Sequence, residues 1–543
     1  MNLGNRFSQH SFAKVPQVNI PRSRFDRSFT VKDTFNFDQL VPCYVEEILP
    51  GDTINLNLKS FARLAPQVVP LMDNMMIDFF FFFVPNRLVW ENWERFNGAQ
   101  DAPGDSTDYL VPHLAVPAGT SFTTNSVFDH MGLPIGQPMF QVSPRTENTY
   151  INALPFRGMN LIWNTWFRDQ NLQDPATVPT GNGPDSYTLY TLNYRNKRHD
   201  YFTSALPWTQ KGPAVSMPIT NQSGYLSVLT NGNAPNFLLG ADATLRTMGG
   251  NTAGYMNYSG PALGTNQTPA VFGTESGLRA SLVDDTLGTS ITAFRQAMMM
   301  QTLLERDARG GTRYVEMLRH RFGVVSPDFR LQRPELLSTS SITLQQHVVP
   351  QTSETGATPQ GNLAAFTTGA SMGNRVGFSK SFVEHGYVLG FMCARGEITY
   401  QSGIHKKWLR RTRWDYFQPE FQQLTEQPIE NRELHYDPTN GTRIPLGTFG
   451  YQERYAEYRY SPSEIRGFFR SQSPETLDVW TLAEKFVNTP ALNSDFIFQN
   501  TPIERSLEVP DSDYPHLKID MWFDLKHARP MMAYGVPASL GRF

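Results

Sequence analysis

The segment Met75–Pro85, MMIDFFFFFVP, constrains the fold of this chain more than any other stretch. It is the longest apolar run, broken only by Asp78, and it falls well short of the roughly 20 residues that span a bilayer. Successive side chains of a strand point to opposite faces, so a run that is apolar at almost every position needs apolar cover on both. The segment is therefore predicted to be a strand buried on both faces.

Its surroundings read as β structure. From about Phe29 to Val84 short β-rich runs alternate with turn signals: TFNFDQLVPCYVEEI, the turn Leu49-Pro50-Gly51-Asp52, then TINLNLKSFARL. Val376 to Tyr400 repeats the style, with glycines at expected bends. Two such blocks, so far apart, pair only if the chain between them leaves the sheet and returns. With 40 Gly, 39 Pro, 38 Phe and 21 Tyr among 543 residues, the composition favours many short strands joined by elaborate loops. Hydrophobic content of 40% against 18% charge supplies a sizeable core and argues against overall disorder. Length alone does not fix the number of domains.

Helical signals are few. Ile291 to Arg309 places Phe294, Ala297, Met298, Leu303 and Leu304 near helical spacing, with Met298, Met299 and Met300 as an adaptable packing face. Gly310 and Gly311 end it, and Thr312 is the expected N-cap of a second helix through Arg321, with Tyr314, Val315 and Leu318 on its apolar side. Such a hairpin is read as packing rather than as a duplex-reading motif. Trp163, Trp166 and Phe167 are read as core or subunit contact.

No catalytic template is found: there is no P-loop, H-E-x-x-H or nearby Cys/His quartet. The eleven histidines are scattered. His199 beside Asp200 invites an acid–base reading, but strand neighbours point to opposite faces, which favours a structural role. The pairs Glu46 with Glu47 and Asp284 with Asp285 could hold a cation at a subunit junction; solvated charge is the simpler reading. No catalytic residue, metal site or cofactor is assigned. Cys43 and Cys393 stand far apart, which favours unpaired, reduced thiols or simply small buried hydrophobes. The N-terminal MNLGNRFSQHSFAKVP lacks the apolar core of a signal peptide, so no export is expected, and no membrane insertion either.

The formal net charge of -3 conceals clusters. Across residues 1–32 lie Arg6, Lys14, Arg22, Arg24, Arg27 and Lys32, opposed only by Asp26, in a composition that does not fold alone. This stretch is predicted to be a basic arm seeking an anionic or protein surface. In HKKWLRRTRW, His405–Trp414, the cations Lys406, Lys407, Arg410, Arg411 and Arg413 surround Trp408 and Trp414. Cations for phosphates and aromatic faces for unstacked bases are what sequence-tolerant single-strand binding requires. Arg and Trp are also enriched at protein interfaces, so a subunit contact competes on equal terms. A third stretch, Lys526–Gly535, carries fewer charges and is the weaker candidate.

A resemblance bears on all of this. It rests on KRHDYFTSALPWTQKGP (Lys197–Pro213), LPFRGMNLIWNTWFRDQNLQD (Leu154–Asp174), FNFDQLVPCYVEEILPGDT (Phe35–Thr53) and FFFFFVPNRLVWENW (Phe79–Trp93). The long segments Leu303–Leu337 and Phe449–Ser471 are its most specific parts. In these the chain resembles the major capsid protein of the Microviridae, small icosahedral phages with circular single-stranded DNA, and most closely the gokushovirus branch. The resemblance implies a mainly β fold, a viral jelly-roll β-sandwich with long loop insertions and a few short helices. It implies self-assembly into a T=1 shell around single-stranded DNA, in the bacterial cytoplasm. It also implies an internal scaffolding protein, a pilot protein, a small basic DNA-packaging protein and a host cell-surface receptor as partners. The expected division is a basic arm over 1–32, sandwich over 33–215, an insertion over 216–290, a helical hairpin over 291–337, and the rest of the sandwich with a C-terminal arm over 338–543. The competing class is a β-sandwich carbohydrate-binding protein or glycosidase, the latter needing two carboxylates about 5–10 Å apart across one cleft.

The insertion, Ser216–Ser290, matches the family least. It holds only Arg246 and Arg279 as strong bases and 11 of the 40 glycines, a loop composition ill suited to DNA. Yet Leu226, Val228, Leu229, Phe237, Leu238, Leu239 and Phe272 need cover, which neighbouring copies can supply. By the resemblance it forms a protrusion at the threefold axis and meets the host; a flexible loop is the plainer alternative.

Overall fold

The structure is a computed structural model. It describes residues 21–138, 150–213, 215, 291–309, 332–354, 360–371, 376–424, 426–437 and 446–534, and within the insertion the strand backbone of 220–221, 227–230, 236–239, 244–250, 256–258, 270–272, 278–281 and 287–288.

Nine strands make the body. They are β1 Phe29–Phe35, β2 Gln39–Ile48, β3 Thr53–Leu64, β4 Met75–Pro85, β5 Glu335–Pro350, β6 Leu363–Ala370, β7 Val376–Ser381, β8 Gly386–Gly396 and β9 Leu517–Arg529. Every pairing among them is antiparallel. One half runs β1-β9-β3, with β6 and β7 on successive stretches of β3; the other runs β2-β8-β4-β5, and the β5–β6 hairpin joins the halves. Counting β6 and β7 as one interrupted strand, the first half takes the first, eighth, third and sixth positions in the chain and the second half takes the second, seventh, fourth and fifth. That is the double Greek-key connectivity of a jelly roll.

Side-chain alternation builds two cores. In β3 Ile54, Leu56, Leu58, Ala62 and Leu64 turn inward while Asn55, Lys59, Phe61 and Arg63 face out. The inward set, with Ile519, Met521, Phe523 and Leu525 of β9, meets Ile77, Phe79, Phe81 and Phe83 of β4 and Val388 and Met392 of β8. The opposite face of β4 presents Phe80, Phe82 and Val84 beside Leu389, Phe391 and Cys393 of β8. A second core closes over this face, made of Trp90, Phe122, Phe128 and the helix α1, Leu154–Ile162. At Gly158 of α1 a Cβ would come within 3.2 Å of Leu389 Cδ1, so the helix lies close on the sheet. The doubly buried strand expected at Met75–Pro85 is thus found, with a core on each face.

The one charge in that run is compensated. Asp78, almost fully buried, accepts from Arg395 Nε at 2.6 Å and also pairs with Arg195 and the Ser341 hydroxyl. Beneath α1, Arg157 is fully buried and donates twice to Asp185, at 2.7 Å each. Cys43 sits in the first core and Cys393 in the second, both free, and burial raises the Cys393 thiol to about 12.

Two local expectations are revised. Residues 23–32 do not form a loose arm: Ser23–Asp26 and β1 both pair with β9, Phe25 opposite His527 and Lys32 opposite Asp520. Their partner lies at the far end of the chain, where local composition cannot reveal it. Arg6 and Lys14 lie outside the described residues. The insertion, expected from composition to be loop, carries antiparallel ladders, Ser227–Thr230 with Leu278–Ser281, and Asn236–Leu239 with both Thr244–Gly250 and Ala270–Phe272. Phe237 is directly opposite Phe272, Leu238 opposite Val271 and Leu239 opposite Ala270; Leu226 lies outside the described residues.

By backbone proximity the chain divides into Met1–Trp208 with Ser326–Phe543, and Thr209–Val325. The second unit holds the helix α2, Ile291–Arg309, as expected, with Met298, Met299 and Met300 exposed. The second helix of the expected hairpin falls outside the described residues. Among the described residues no helix is long and apolar enough to cross a membrane.

Replacing Asp78 by Ala leaves Arg395 buried opposite no carboxylate, which should cost about 3–5 kcal/mol. Denaturant unfolding of the unassembled chain measures it; a loss under about 1 kcal/mol, the range of an exposed pair, would contradict this role.

Candidate nucleic-acid and subunit interface

Loops between the strands form a third core of Tyr201, Phe202, Tyr400, Ile429, Leu434, Phe449, Phe496 and Ile497. The segment KRHDYF is built into it. Lys197, nearly buried, reaches the two carboxylate oxygens of Glu484 at 2.7 and 2.8 Å and lies over the Phe496 ring. Asp200 accepts from the amides of Phe202 and Thr203 and from the Tyr400 hydroxyl at 2.6 Å. Asp200 is therefore a turn-former, not half of an acid–base pair. Tyr201 donates to Glu433 at 3.1 Å.

The His405–Trp414 loop rests on this core. Its two short turns are Lys406–Trp408, where the His405 ring accepts from the Lys407 amide, and Arg413–Asp415, where the Asp415 carboxylate accepts from the amides of Thr412 and Arg411. Those amides hold the Asp415 carboxyl below its ordinary range, and burial, then Lys407, pushes His405 down. Two of the cations point inward. Lys406 pairs with Glu433 at 3.4 Å, and Arg410 pairs with Glu457 at 3.2 Å while stacking 4.2 Å over Tyr458. The other three, Lys407, Arg411 and Arg413, are exposed and make no salt bridge among the described residues. Trp408 is 75% exposed and Trp414 48%, with Arg413 stacked 4.1 Å over Trp414. Sequence order treated the five cations alike. Glu433 and Glu457, which separate them into anchors and free charges, lie 27 and 47 residues downstream of the cations they hold, at no recognisable spacing.

The N-terminal cations are likewise divided. Arg22 donates to the Thr53 hydroxyl at 2.6 Å, Arg24 is exposed on the short strand, and Arg27 pairs with Glu46. Glu46 is nearly buried between Arg27 and Arg529, the latter at 3.2 Å, so it is a structural acid and not solvated charge. Asp284 and Asp285 lie outside the described residues. In the C-terminal stretch Lys526 pairs with Asp26, and Arg529 with Glu46 and Asp52.

Two arrangements test other chemistry. A pocket of about 40 Å³ under the loop is lined by Tyr201, Tyr400, Glu433, Glu457, Tyr460 and Glu464, among others. Glu433 and Glu457 are committed to Tyr201, Lys406, Arg410 and Gln427, and the space is far below that of a ligand site. Glu504, Asp511 and His516 bring ligand-type atoms within 4.8 Å of one another. However, the Phe37 amide donates to His516 Nδ1 at 3.2 Å, so the ring proton of the neutral imidazole sits on Nε2, which faces Glu504 at 3.3 Å. A cation on Nε2 would require that nitrogen bare, so the trio reads as a hydrogen-bonded clasp.

Comparison with known proteins agrees over the full length. Residues 13–539 match the model of the family described as Capsid protein (F protein). The chain is 56% identical to Capsid protein VP1 of Bdellovibrio phage phiMH2K over 100% of both chains. It is 39% identical to Capsid protein VP1 of Chlamydia phage 1, and 34% identical to that of Spiroplasma virus 4, over 97% of each chain in both cases.

The carboxylates beneath the loops make a pH dependence. Burial raises Asp38, Glu433 and Glu484 above their ordinary range, against the pull of Thr501, Lys406 and Lys197 respectively. Asp38 moves from 3.8 to about 6. The folded state therefore holds this proton more tightly than the unfolded state, and its contribution is fully present below about pH 4 and lost as pH rises through about 6, on the order of 3 kcal/mol in all. Asp38→Asn keeps an acceptor for the Thr501 amide. The variant's melting temperature should fall less than the parent's between about pH 4 and pH 7; identical profiles would contradict the assignment.

Proposed function

This chain belongs to the Capsid protein (F protein) family, and on that premise we propose that it forms a T=1 icosahedral shell enclosing a circular single-stranded DNA genome. It is a major capsid protein of the Microviridae, a structural protein of the virion whose relatives are not enzymes, and its work is association with its own copies. The match over residues 13–539 carries that statement, and the jelly-roll connectivity agrees with it.

The finer proposals rest on the residues. Lys407, Arg411 and Arg413 hold DNA phosphates while Trp408 and Trp414 take unstacked bases; Lys406 and Arg410 fix the loop. Arg6, Lys14, Arg22 and Arg24 add charge from the N-terminal side, and Arg27 acts through Glu46. The insertion over 216–290 projects outward and meets a host receptor, with Leu226, Phe237, Leu238, Leu239 and Phe272 as its apolar contacts. A scaffolding protein during assembly in the host cytoplasm, a pilot protein and a small basic packaging protein complete the set of partners.

A second reading of the His405–Trp414 loop is contact with a neighbouring copy. One observation favours it: beside the loop Tyr416, Phe417 and Tyr458 are each at least 45% exposed, with Phe417 edge-on to Tyr458 and Arg410 over both Tyr416 and Tyr458. Exposed aromatic and Arg side chains grouped in this way are a usual mark of a protein interface.

Replacing Lys407, Arg411 and Arg413 by Ala, with Arg410 left to neutralise Glu457, separates the two. Binding to single-stranded oligonucleotides should weaken for every sequence alike, and the slope of log affinity against log salt should drop by about 2. Normal DNA content in particles that no longer close would instead give the loop to the neighbouring copy.

A further inference from the structure

The chain treats the two outer faces of its sandwich differently. The face of β2-β8-β4-β5 lies under the second core, but on β9 and β3 Lys518, Trp522, Lys59, Phe61 and Arg63 are all exposed. Phe61 and Trp522 are each 43% exposed, a large apolar area for side chains in the middle of a sheet. The register puts them in rows: Lys518 lies directly opposite Arg63, Asp520 opposite Phe61, and Trp522 opposite Lys59.

The Lys518–Arg63 row is the informative one. Like charges directly opposite on antiparallel strands repel, and such a pair persists at a cost unless an anion sits between them. Among the described residues neither has an acidic partner: Arg63 lies over Phe61 at 5.3 Å and Lys518 over Tyr514 at 6.0 Å. Asp520, the acid in the adjoining row, is taken by Lys32 at 3.0 Å. An open groove of about 480 Å³ passes over this place, lined among others by Phe61, the cations Lys32, Arg63 and Lys518 and the carboxylates Asp33, Asp129 and Asp520. The acids on its rim are engaged too, Asp33 with His130 and Asp129 with the Asn125 amide.

We propose that this face is a second binding surface for single-stranded DNA, with a phosphate between Arg63 and Lys518 and bases stacked on Phe61 and Trp522. The proposal rests on the reading of the chain as a shell around single-stranded DNA and adds a surface to it. Two adjacent cations that make no ion pair meet the need of a phosphate, and the exposed rings of Phe61, two residues from Arg63, and Trp522, four from Lys518, meet the need of a base, in any sequence. Residues 59–63 and 518–522 lie too far apart in the chain to read as a cluster, which is why the sequence alone does not show the site.

The test uses the full-length chain, unassembled, with fluorescent oligo-dT. Arg63→Ala with Lys518→Ala should weaken binding by about tenfold or more and lower the salt slope by about 0.7, one single-strand phosphate contact. Its melting temperature should hold or rise, because a repulsion is removed; a fall would mark the pair as structural and overturn the proposal. Phe61→Ala with Trp522→Ala should weaken binding by about tenfold or more with the salt slope unchanged. If the parent binds oligo-dT and both variants bind as well as it does, this face is not a site, although the shell reading stands. If the parent itself binds no oligo-dT, the DNA reading fails with it. Intact binding together with lost assembly assigns the face to a neighbouring copy and likewise overturns the proposal.

Discussion

Everything in the sandwich depends on β4 being apolar on both faces. Phe79, Phe81 and Phe83 close the inter-sheet core, and Phe80, Phe82 and Val84 form the floor of a second one. A strand with one polar face would serve a two-layer sandwich facing water. This one obliges the chain to supply a third layer, and the excursion between β4 and β5 supplies it through Trp90, Phe122, Phe128 and α1. The same need explains why the buried charges come in satisfied groups. Asp78 in the strand, Arg157 under the helix and Lys197 in the loop core each meet an opposite charge brought from elsewhere in the chain, since an isolated ion there would be prohibitive.

That internal satisfaction decides what remains for association. Many of the basic residues that look available in the sequence are already used: Arg27 and Arg529 by Glu46, Lys406 by Glu433, Arg410 by Glu457, Lys526 by Asp26. Among the described residues, the cations left without an ion pair include three on one loop and a like-charged row on the open sheet face. Both lie beside exposed aromatic rings. On the proposed function one surface has to satisfy neighbouring copies and a genome, and these residues are chemistry that the chain has not spent on its own fold.

The features legible in the sequence were those with short-range signals. The doubly buried strand, the alternation in β3, the turn at Leu49–Asp52 and helix α2 each follow from a few consecutive residues. Long-range pairing was not legible. Nothing near Ser23–Asp26 announces β9, so composition reads residues 1–32 as an arm, and nothing near Arg410 announces Glu457. Glycine-rich composition likewise hid the ladders of the insertion, because strand pairing there is set by partners rather than by propensity.

Electron cryomicroscopy of assembled particles is the most direct measurement of whether this fold is a shell subunit with its unspent charge turned to nucleic acid. Closed icosahedral particles are expected, with density for single-stranded DNA against Arg63, Lys518 and Trp522 on the inner surface. A reconstruction in which that face points outward, or is covered by the side chains of a neighbouring copy, would contradict it.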